Sequence, residues 1–125
     1  WEDHCAMEKE FERSRIRAAI DLMEKITGCR PNGWDCRTAP SVNTRELLLE
    51  EGGDHFVYDS DSYADEIPYW TTVGEDAKPH LVEPYSLCTN ESKYAPGRAF
   101  SLSDDYFSFL KDAFNLFSHK AYMQQ

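Results

Sequence analysis

The run Arg30-Pro31-Asn32-Gly33-Trp34 opens the stretch that decides the fold, and this stretch continues to Trp70. Pro31 and the Asn32-Gly33 pair predict a turn after a helix, so that a cation and an aromatic side chain follow that helix directly. An acidic loop at positions 59–70 comes after a short apolar strand. Polar and aromatic groups that converge beyond the end of a strand are typical of ligand pockets in α/β proteins.

Helical and strand patterns lie on both sides of this stretch and within it. The first helix is predicted from Glu2 to Thr27 and ends at Gly28 in a left-handed cap. A short helix from Thr44 to Glu51 follows an N-cap at Asn43. Strands are predicted at 55–58, 71–73 and 80–85, and a last helix at 103–122. Short strands that alternate with helices indicate an α/β fold with parallel pairing.

The apolar residues of the two long helices predict which helix faces pack into the core. Helical spacing in the first helix predicts a core-facing stripe of Met7, Phe11, Ala18, Leu22 and Ile26, widened by Ile16, Ala19, Ile20 and Met23. The last helix carries a strongly aromatic stripe that is also expected to pack into the core. Its members are Tyr106, Leu110, Ala113, Phe114, Phe117 and Ala121.

Length and charge limit the classes of function. The 125 residues are expected to form a single domain spanning 1–125. The formal net charge is −10, so nucleic acid and an anionic membrane surface are both disfavoured as partners. No apolar run approaches the roughly 18–20 residues that a membrane-spanning helix needs.

The four cysteines, at positions 5, 29, 36 and 88, leave the redox state open. Their spacing matches no zinc pattern, and free thiols are favoured over three possible disulfide pairings. This favours a cytoplasmic location. The triplet Asn90-Glu91-Ser92 is a glycosylation acceptor sequence, which has meaning only if the protein is secreted.

Complete catalytic motifs are missing from the sequence. Cys36 has no base nearby in sequence, and no two of the four histidines have the helical spacing of metal ligands. The acid and imidazole of Asp3-His4 lack a partner. Asp59-Ser60-Asp61 lacks the glycine and the final glutamate of a calcium loop. A carboxylate cluster and Arg30 remain, which indicates a supporting role in hydrolysis.

Three runs together resemble the polysaccharide deacetylase (NodB-homology, carbohydrate esterase 4) superfamily, and most closely its allantoinase-like branch. The first comprises Thr27 to Trp34, with Ser41 to Arg45 and Glu50-Glu51-Gly52-Gly53 after it. The second is the acidic run from Tyr58 to Trp70, and the third extends from Pro79 to Leu87, with Thr89-Asn90 after it. Three features depart from the family pattern: Asp54-His55 interrupts the usual entry into the next strand, Cys36 occupies a variable turn position, and the tail from Ser118 to Gln125 drifts.

The resemblance implies an α/β fold, a distorted (β/α) barrel of which this chain is the middle part. By resemblance, Arg30 matches an arginine that orients the catalytic acid. The other implied site residues line the substrate pocket: Trp34, Asp59, Asp61, Tyr63, Asp65, Trp70, Tyr85 and Asn90. The family's base and histidine motifs are expected before Trp1 and beyond Gln125. The resemblance leaves the cofactor unknown: a full-length domain of this family could hold a divalent metal such as zinc, and this sequence has no complete site for one.

Two functions follow as hypotheses. The first is a fragment or truncated relative of a hydrolase that cleaves non-peptide C–N bonds, such as a polysaccharide deacetylase or a cyclic amidohydrolase, without activity alone. The second is a non-catalytic protein that binds carbohydrate or small amides, with Tyr63 and Trp70 stacking on a ring. The second hypothesis requires exposed sheet edges to be closed, which favours a homo-oligomer.

Overall fold

The computed structural model describes residues 3–93 and 97–123 as an α/β protein. Its helices are α1 (Lys9–Thr27), α2 (Thr44–Gly52) and α3 (Ser103–Met123), and its strands are β1 (Gly33–Trp34), β2 (Tyr58–Asp59), β3 (Tyr69–Val73) and β4 (Lys78–Val82). Short 3₁₀ turns lie at Gly53–His55 and Glu91–Lys93. No helix within these ranges has the length and apolar character to span a membrane.

The chain forms two compact units. The first comprises Trp1–Ser62 with Pro68–Pro84, and the second comprises Tyr63–Ile67 with Tyr85–Gln125. The first unit contains α1, α2 and all four strands, whereas the second contains α3.

The four strands form an open sheet in the order β1-β2-β4-β3. Both pairs that involve β2 are parallel, as predicted, but β3 pairs with β4 in antiparallel fashion. The expectation of parallel pairing throughout is wrong here because a tight turn joins β3 to β4, and parallel neighbours need a long crossover connection. Gly74 in this turn has a positive φ of 73°, which glycine adopts without strain.

The strands differ from their predicted positions. β3 begins two residues before the predicted 71–73, and β4 spans Lys78–Val82 rather than 80–85. Residues 33–34 were expected in a loop but pair with β2. The strand predicted at 55–58 is instead a 3₁₀ turn followed by β2 at Tyr58–Asp59. Gly53 has a positive φ of 59°, and the Phe56 amide donates to its carbonyl oxygen, so the chain turns once more before it extends. Asp54 and His55, which depart from the family pattern, lie inside this extra turn.

The core of the first unit lies between α1, α2 and the sheet. It consists of Ile16, Ile20, Leu47, Leu48 and Phe56, with Trp34 packed against it.

The predicted boundaries and core face of α1 need correction. The helix begins at Lys9 because the Glu8 carboxylate caps it by accepting from the Glu10 and Phe11 amides. Its buried residues are Glu12, Ile16 and Ile20, which lie one turn apart on a single line. Much of the predicted stripe is exposed instead, including Phe11 (55%), Leu22 (56%), Met23 (49%) and Ile26 (71%). Two lines of apolar side chains run along α1. Within the first unit, α2 and Trp34 cover only the line that contains Ile16 and Ile20.

In the second unit, α3 has the predicted extent, yet none of its described residues is fully buried. The predicted stripe is half-buried except for Phe114, which is 70% exposed. Phe100 packs against the rings of Tyr106 and Phe109, with centroids 5.6 and 5.0 Å away. The prediction that the aromatic stripe of α3 packs into the core is therefore wrong in part.

Candidate functional site

Asp59 is the centre of a buried polar network at the carboxyl end of β2. Its carboxylate accepts from Arg45 Nε (2.5 Å) and Nη2 (2.9 Å) and from His80 Nε2 (2.7 Å). Arg45 lies in the first turn of α2. Val82 pairs with Asp59 in the parallel ladder, and His80 lies two residues before Val82. Because side chains alternate between the two faces of a sheet, His80 lies on the same face as Asp59.

The contacts of Asp59 keep it ionised. Burial opposes its charge, but the hydrogen bonds from His80 and Arg45 outweigh burial and hold the pKa of Asp59 well below its usual range. Its oxygens also accept the Asp61 backbone amide at 3.0 Å. With its lone pairs occupied in this way, Asp59 is a positioning group rather than a free base.

Asp61 contrasts with Asp59. Its Oδ1 accepts the Cys36 backbone amide at 2.7 Å, whereas its buried Oδ2 has no hydrogen-bond partner among residues 3–93 and 97–123. Burial raises the pKa of Asp61. The hydrogen bond from the Asp61 backbone amide to Asp59 fixes the loop, and one buried carboxylate oxygen of Asp61 is left without a donor in the described part of the chain.

A cavity of about 240 Å³ adjoins these carboxylates. Arg45 and Asp59 form one side of it together with Asp61. The other lining residues come from the segment before α2 and from α2 itself: Pro40, Ser41, Val42, Thr44 and Leu48. A group that donates a hydrogen bond can therefore meet Asp61 in a partly apolar space.

Cys36 lies beside this loop but does not act as a nucleophile there. Trp34 Nε1 donates to its Sγ at 3.2 Å, and burial raises the pKa of Cys36 to about 12. A thiol that stays protonated at neutral pH is a poor nucleophile. All four cysteines have free thiols in the structure.

The structure groups only some of the predicted site residues. In the first unit, Trp34, Asp59 and Asp61 lie on adjacent strand ends joined through Cys36. Trp34 is half-buried and packs against Phe56, so much of its surface serves the core. Trp70 lies on β3 with its side chain 68% exposed.

The remaining predicted residues have other neighbours. In the second unit, Tyr63 and Tyr85 meet edge to face at 5.9 Å, and Asn90 donates to the Tyr85 hydroxyl. Asp65 accepts from Lys120 at 2.6 Å.

Arg30, in the first unit, contacts Glu24 at 3.2 Å and donates to the Glu51 carbonyl oxygen at 2.7 Å. The arginine that pairs with Asp59 is thus Arg45.

Sequence reasoning missed Arg45 and His80. A signal for His80 was present, because a histidine inside an otherwise apolar strand requires a partner, and a parallel strand ending in Asp59 supplies one. Arg45 gave no such signal, because a charged residue in the first turn of a short helix is ordinarily solvated.

The described residues do not fit a metal ion. Within 3–93 and 97–123, no three histidine, cysteine or acidic side chains are grouped to hold one. Asp59 and His80 are two side chains of the types that ligate metals, but they are hydrogen-bonded to each other.

Comparisons with known proteins find relatives that are named as polysaccharide deacetylases or as an allantoinase. No family model matches the chain. A polysaccharide deacetylase-type protein of Schizosaccharomyces pombe (strain 972 / ATCC 24843) is 31% identical over an alignment that covers 93% of this chain and 40% of that protein. The chain therefore spans about two fifths of the length of this relative.

Solved structures share the fold. PuuE allantoinase matches 93% of this chain and 37% of its own, with a TM-score of 0.73 and 43% identity. A polysaccharide deacetylase-type protein from Pseudomonas aeruginosa PAO1 matches 96% of this chain and 39% of its own, with a TM-score of 0.74 and 40% identity. A third, from Mycobacterium smegmatis, has a TM-score of 0.66 at 22% identity and supports the fold alone.

Proposed function

We propose that this chain, a member of the polysaccharide deacetylase superfamily related to its allantoinase-like branch, is the segment of an amide C–N hydrolase that recognises the substrate amide. In the complete domain the open sheet would continue into a distorted (β/α) barrel. The chain alone would bind substrate without hydrolysing it.

The observation that carries this proposal is that Asp61 lines the cavity while its buried Oδ2 has no hydrogen-bond partner among the described residues. An amide substrate brings an N–H group, which is the donor that this oxygen lacks. Hydrolysis also requires a proton to reach the leaving nitrogen, and a carboxyl group whose pKa is raised by burial is suited to exchange one. Asp59, Arg45 and His80 would hold the loop that carries Asp61 in position.

The size of the cavity favours a small substrate. Its volume of about 240 Å³ lies just below the lower end of the range for small-molecule pockets, about 300 Å³. A small cyclic amide matches this space better than a sugar polymer does. Arg30, through its resemblance to the family motif, would orient a catalytic acid supplied by the rest of the domain.

A second candidate function is non-catalytic binding of carbohydrate. It is favoured by the exposed aromatic side chains of Trp70 (68%) and Tyr63 (63%), since such rings stack on the apolar faces of sugars. In this case the aromatic rings, rather than Asp61, would determine affinity.

Titration of the labelled chain with allantoin and, separately, with N-acetylated sugar oligomers distinguishes the two functions. We expect saturable shifts of the Cys36 backbone amide resonance with allantoin, and their loss in Asp61→Asn. Trp70→Ala should leave allantoin binding unchanged. Binding of oligomers alone, lost in Trp70→Ala and retained in Asp61→Asn, would favour the carbohydrate function and contradict the amide proposal.

A further inference from the structure

Glu12 is a fully buried carboxylate on the line of α1 that faces the core. It accepts hydrogen bonds from His4 Nδ1 at 3.1 Å, Ser41 Oγ at 2.5 Å and Thr44 Oγ1 at 2.5 Å. Burying a carboxylate is costly unless several donors satisfy it, and a well-packed apolar group in such a place is often at least as stabilising. Stability alone therefore does not account for Glu12, and the role of this carboxylate depends on what its three partners hold in place.

Two of these partners line the cavity beside Asp61, namely Ser41 and Thr44. Their hydroxyl groups donate to Glu12 and accept from the backbone of their own turn. Ser41 Oγ accepts the Asn43 amide at 2.9 Å, and Thr44 Oγ1 accepts the Ser41 amide at 2.8 Å. Because Thr44 is the first residue of α2, Glu12 fixes the turn that leads into this helix, and with it one wall of the cavity.

The third partner, His4, leads to the loop that contacts Asp61. Its ring is held at Nδ1 by Glu12 and meets the ring of Trp34 edge to face, with centroids 6.1 Å apart. Trp34 Nε1 donates to Cys36 Sγ at 3.2 Å. The Cys36 backbone amide in turn donates to Asp61 Oδ1 at 2.7 Å. All of these contacts lie within the first unit, and each is a packed or hydrogen-bonded contact that can transmit a displacement of the His4 ring.

We infer that Glu12 is a positioning residue for the cavity beside Asp61, since it holds the Ser41–Thr44 turn directly and the Cys36 loop through His4. This inference rests on the proposed function, in which the cavity takes a small cyclic amide. A hydrogen bond weakens steeply when its distance or angle departs from a narrow range, so a loosened wall or loop weakens binding with no ligand contact removed. His4 is not among the described residues that line this cavity, so its replacement acts on the cavity only indirectly.

Two replacements of His4 test its two contacts separately. His4→Phe keeps a ring beside Trp34 but removes the donor to Glu12, whereas His4→Asn keeps a donor but removes the ring. In calorimetric titration of the full chain with allantoin, each variant should bind about tenfold more weakly than the parent, the effect of one well-placed contact.

Ile20→Val is the matched control for both variants. Ile20 is a core residue of the same helix, 1% exposed, and its replacement loosens the core without removing a contact of Glu12. The control should bind allantoin within about twofold of the parent. Its affinity therefore separates a positioning effect from a general loss of stability.

Thr44 tests the wall of the cavity. Thr44→Val removes the hydroxyl group at nearly constant volume and should weaken allantoin binding about tenfold, whereas Thr44→Ser keeps the hydroxyl and should retain the affinity of the parent. Glu12→Met would leave three donors without an acceptor and endanger the fold, so the variants of its partners take its place. Thermal melts establish that each variant is folded.

Hydrogen exchange in the chain without ligand tests the loop independently of allantoin. In His4→Phe, the Cys36 amide should exchange about tenfold faster relative to the Ile16 amide, because its hydrogen bond to Asp61 is loosened while α1 stays folded. In Ile20→Val this ratio should remain that of the parent, because a general loss of stability affects both amides.

The two kinds of failure are distinguishable. A parent chain that does not bind allantoin would contradict the proposed function, and the exchange ratio would still decide whether His4 positions the Cys36 loop. The inference itself would be overturned by a His4→Phe chain that keeps the exchange ratio of the parent. An Ile20→Val chain that loses as much allantoin affinity as His4→Phe would also overturn it.

Discussion

Asp59 and Asp61 stand two residues apart, and their surroundings shift their pKa values in opposite directions. His80 and Arg45 hold the pKa of Asp59 low, whereas burial without a partner for Oδ2 raises that of Asp61. Carboxyl groups separated in this way divide their work between an ionised positioning group and a group able to exchange a proton.

Arg45→Met tests the positioning role. The variant keeps the side-chain stem but leaves Asp59, which is 1% exposed, without its bidentate partner. Because the Arg45 side chain is one third exposed, we expect a loss of about 2–3 kcal/mol in the free energy of unfolding measured in urea. Arg98→Met, at an exposed position, is the control. A loss no larger than that of the control would contradict the role.

Acid stability tests the lowered pKa of Asp59. Its folded-state pKa lies below the ordinary value of 3.8, so the unfolded chain takes up the proton first as the pH falls. The contribution of Asp59 is therefore complete above about pH 4 and is lost below it. Urea unfolding at a series of pH values should show a shallower acid loss for Asp59→Asn than for the parent. Equal slopes would be inconsistent with the buried ion pair.

Asp61→Asn should stabilise the fold at neutral pH, whereas the charge of Asp59 is itself stabilising there. Since the folded-state pKa of Asp61 is raised, its ionised form destabilises the fold at neutral pH. Removing that charge should raise Tm by about 3 °C at pH 7 while abolishing binding to the cavity. Asp76→Asn, in the exposed β3–β4 turn, should leave Tm unchanged. A lower Tm for Asp61→Asn would mean that the carboxylate has a stabilising partner.

At the scale of elements, sequence reasoning found what local chemistry determines. The boundaries of α2 and α3 followed from the local sequence to within one residue, although the Asn43 side chain, which was expected to cap α2, makes no capping hydrogen bond. The short strands β1 and β2 did not, because two-residue strands are defined by their neighbours and carry almost no local signal. The choice between the two apolar lines of α1 depended on where α2 packs, which periodicity alone does not specify. For the same reason Arg45 and His80 were not assigned to the site.

Gly52 at the end of α2 provides a test of the packing between elements. Its φ of −87° is ordinary, and Gly→Ala in a helix usually stabilises by about 0.5–1 kcal/mol. Here a Cβ would lie 1.8 Å from Phe56 Cδ2, and Phe56 is a core residue. We expect Gly52→Ala to destabilise by about 1–3 kcal/mol in urea unfolding.

The double variant identifies the cause. Gly52→Ala should cost clearly less when Phe56→Leu is already present, because the smaller side chain leaves room for the new methyl group. Costs that simply add would argue against the close approach of the Phe56 ring.

At the scale of the molecule, α1 has an exposed line of apolar side chains among the described residues of the first unit. Phe11 and Ile26 mark its two ends, 55% and 71% exposed. Exposed apolar lines of this kind serve association, and we propose that the isolated chain uses this one to form homo-oligomers. Sedimentation velocity over a concentration series should show association that Phe11→Glu and Ile26→Glu abolish without lowering Tm. A parent chain that remains monomeric would contradict the proposal.

The proposed role of this chain is to recognise the substrate amide within a C–N hydrolase. The most direct test replaces the matching segment of PuuE allantoinase, 43% identical and about 37% of that protein, with this chain and measures allantoin hydrolysis. We predict that the folded chimera hydrolyses allantoin and that Asp61→Asn within it abolishes the activity, whereas Asp76→Asn does not. A folded chimera without activity, or one indifferent to Asp61→Asn, would contradict the account.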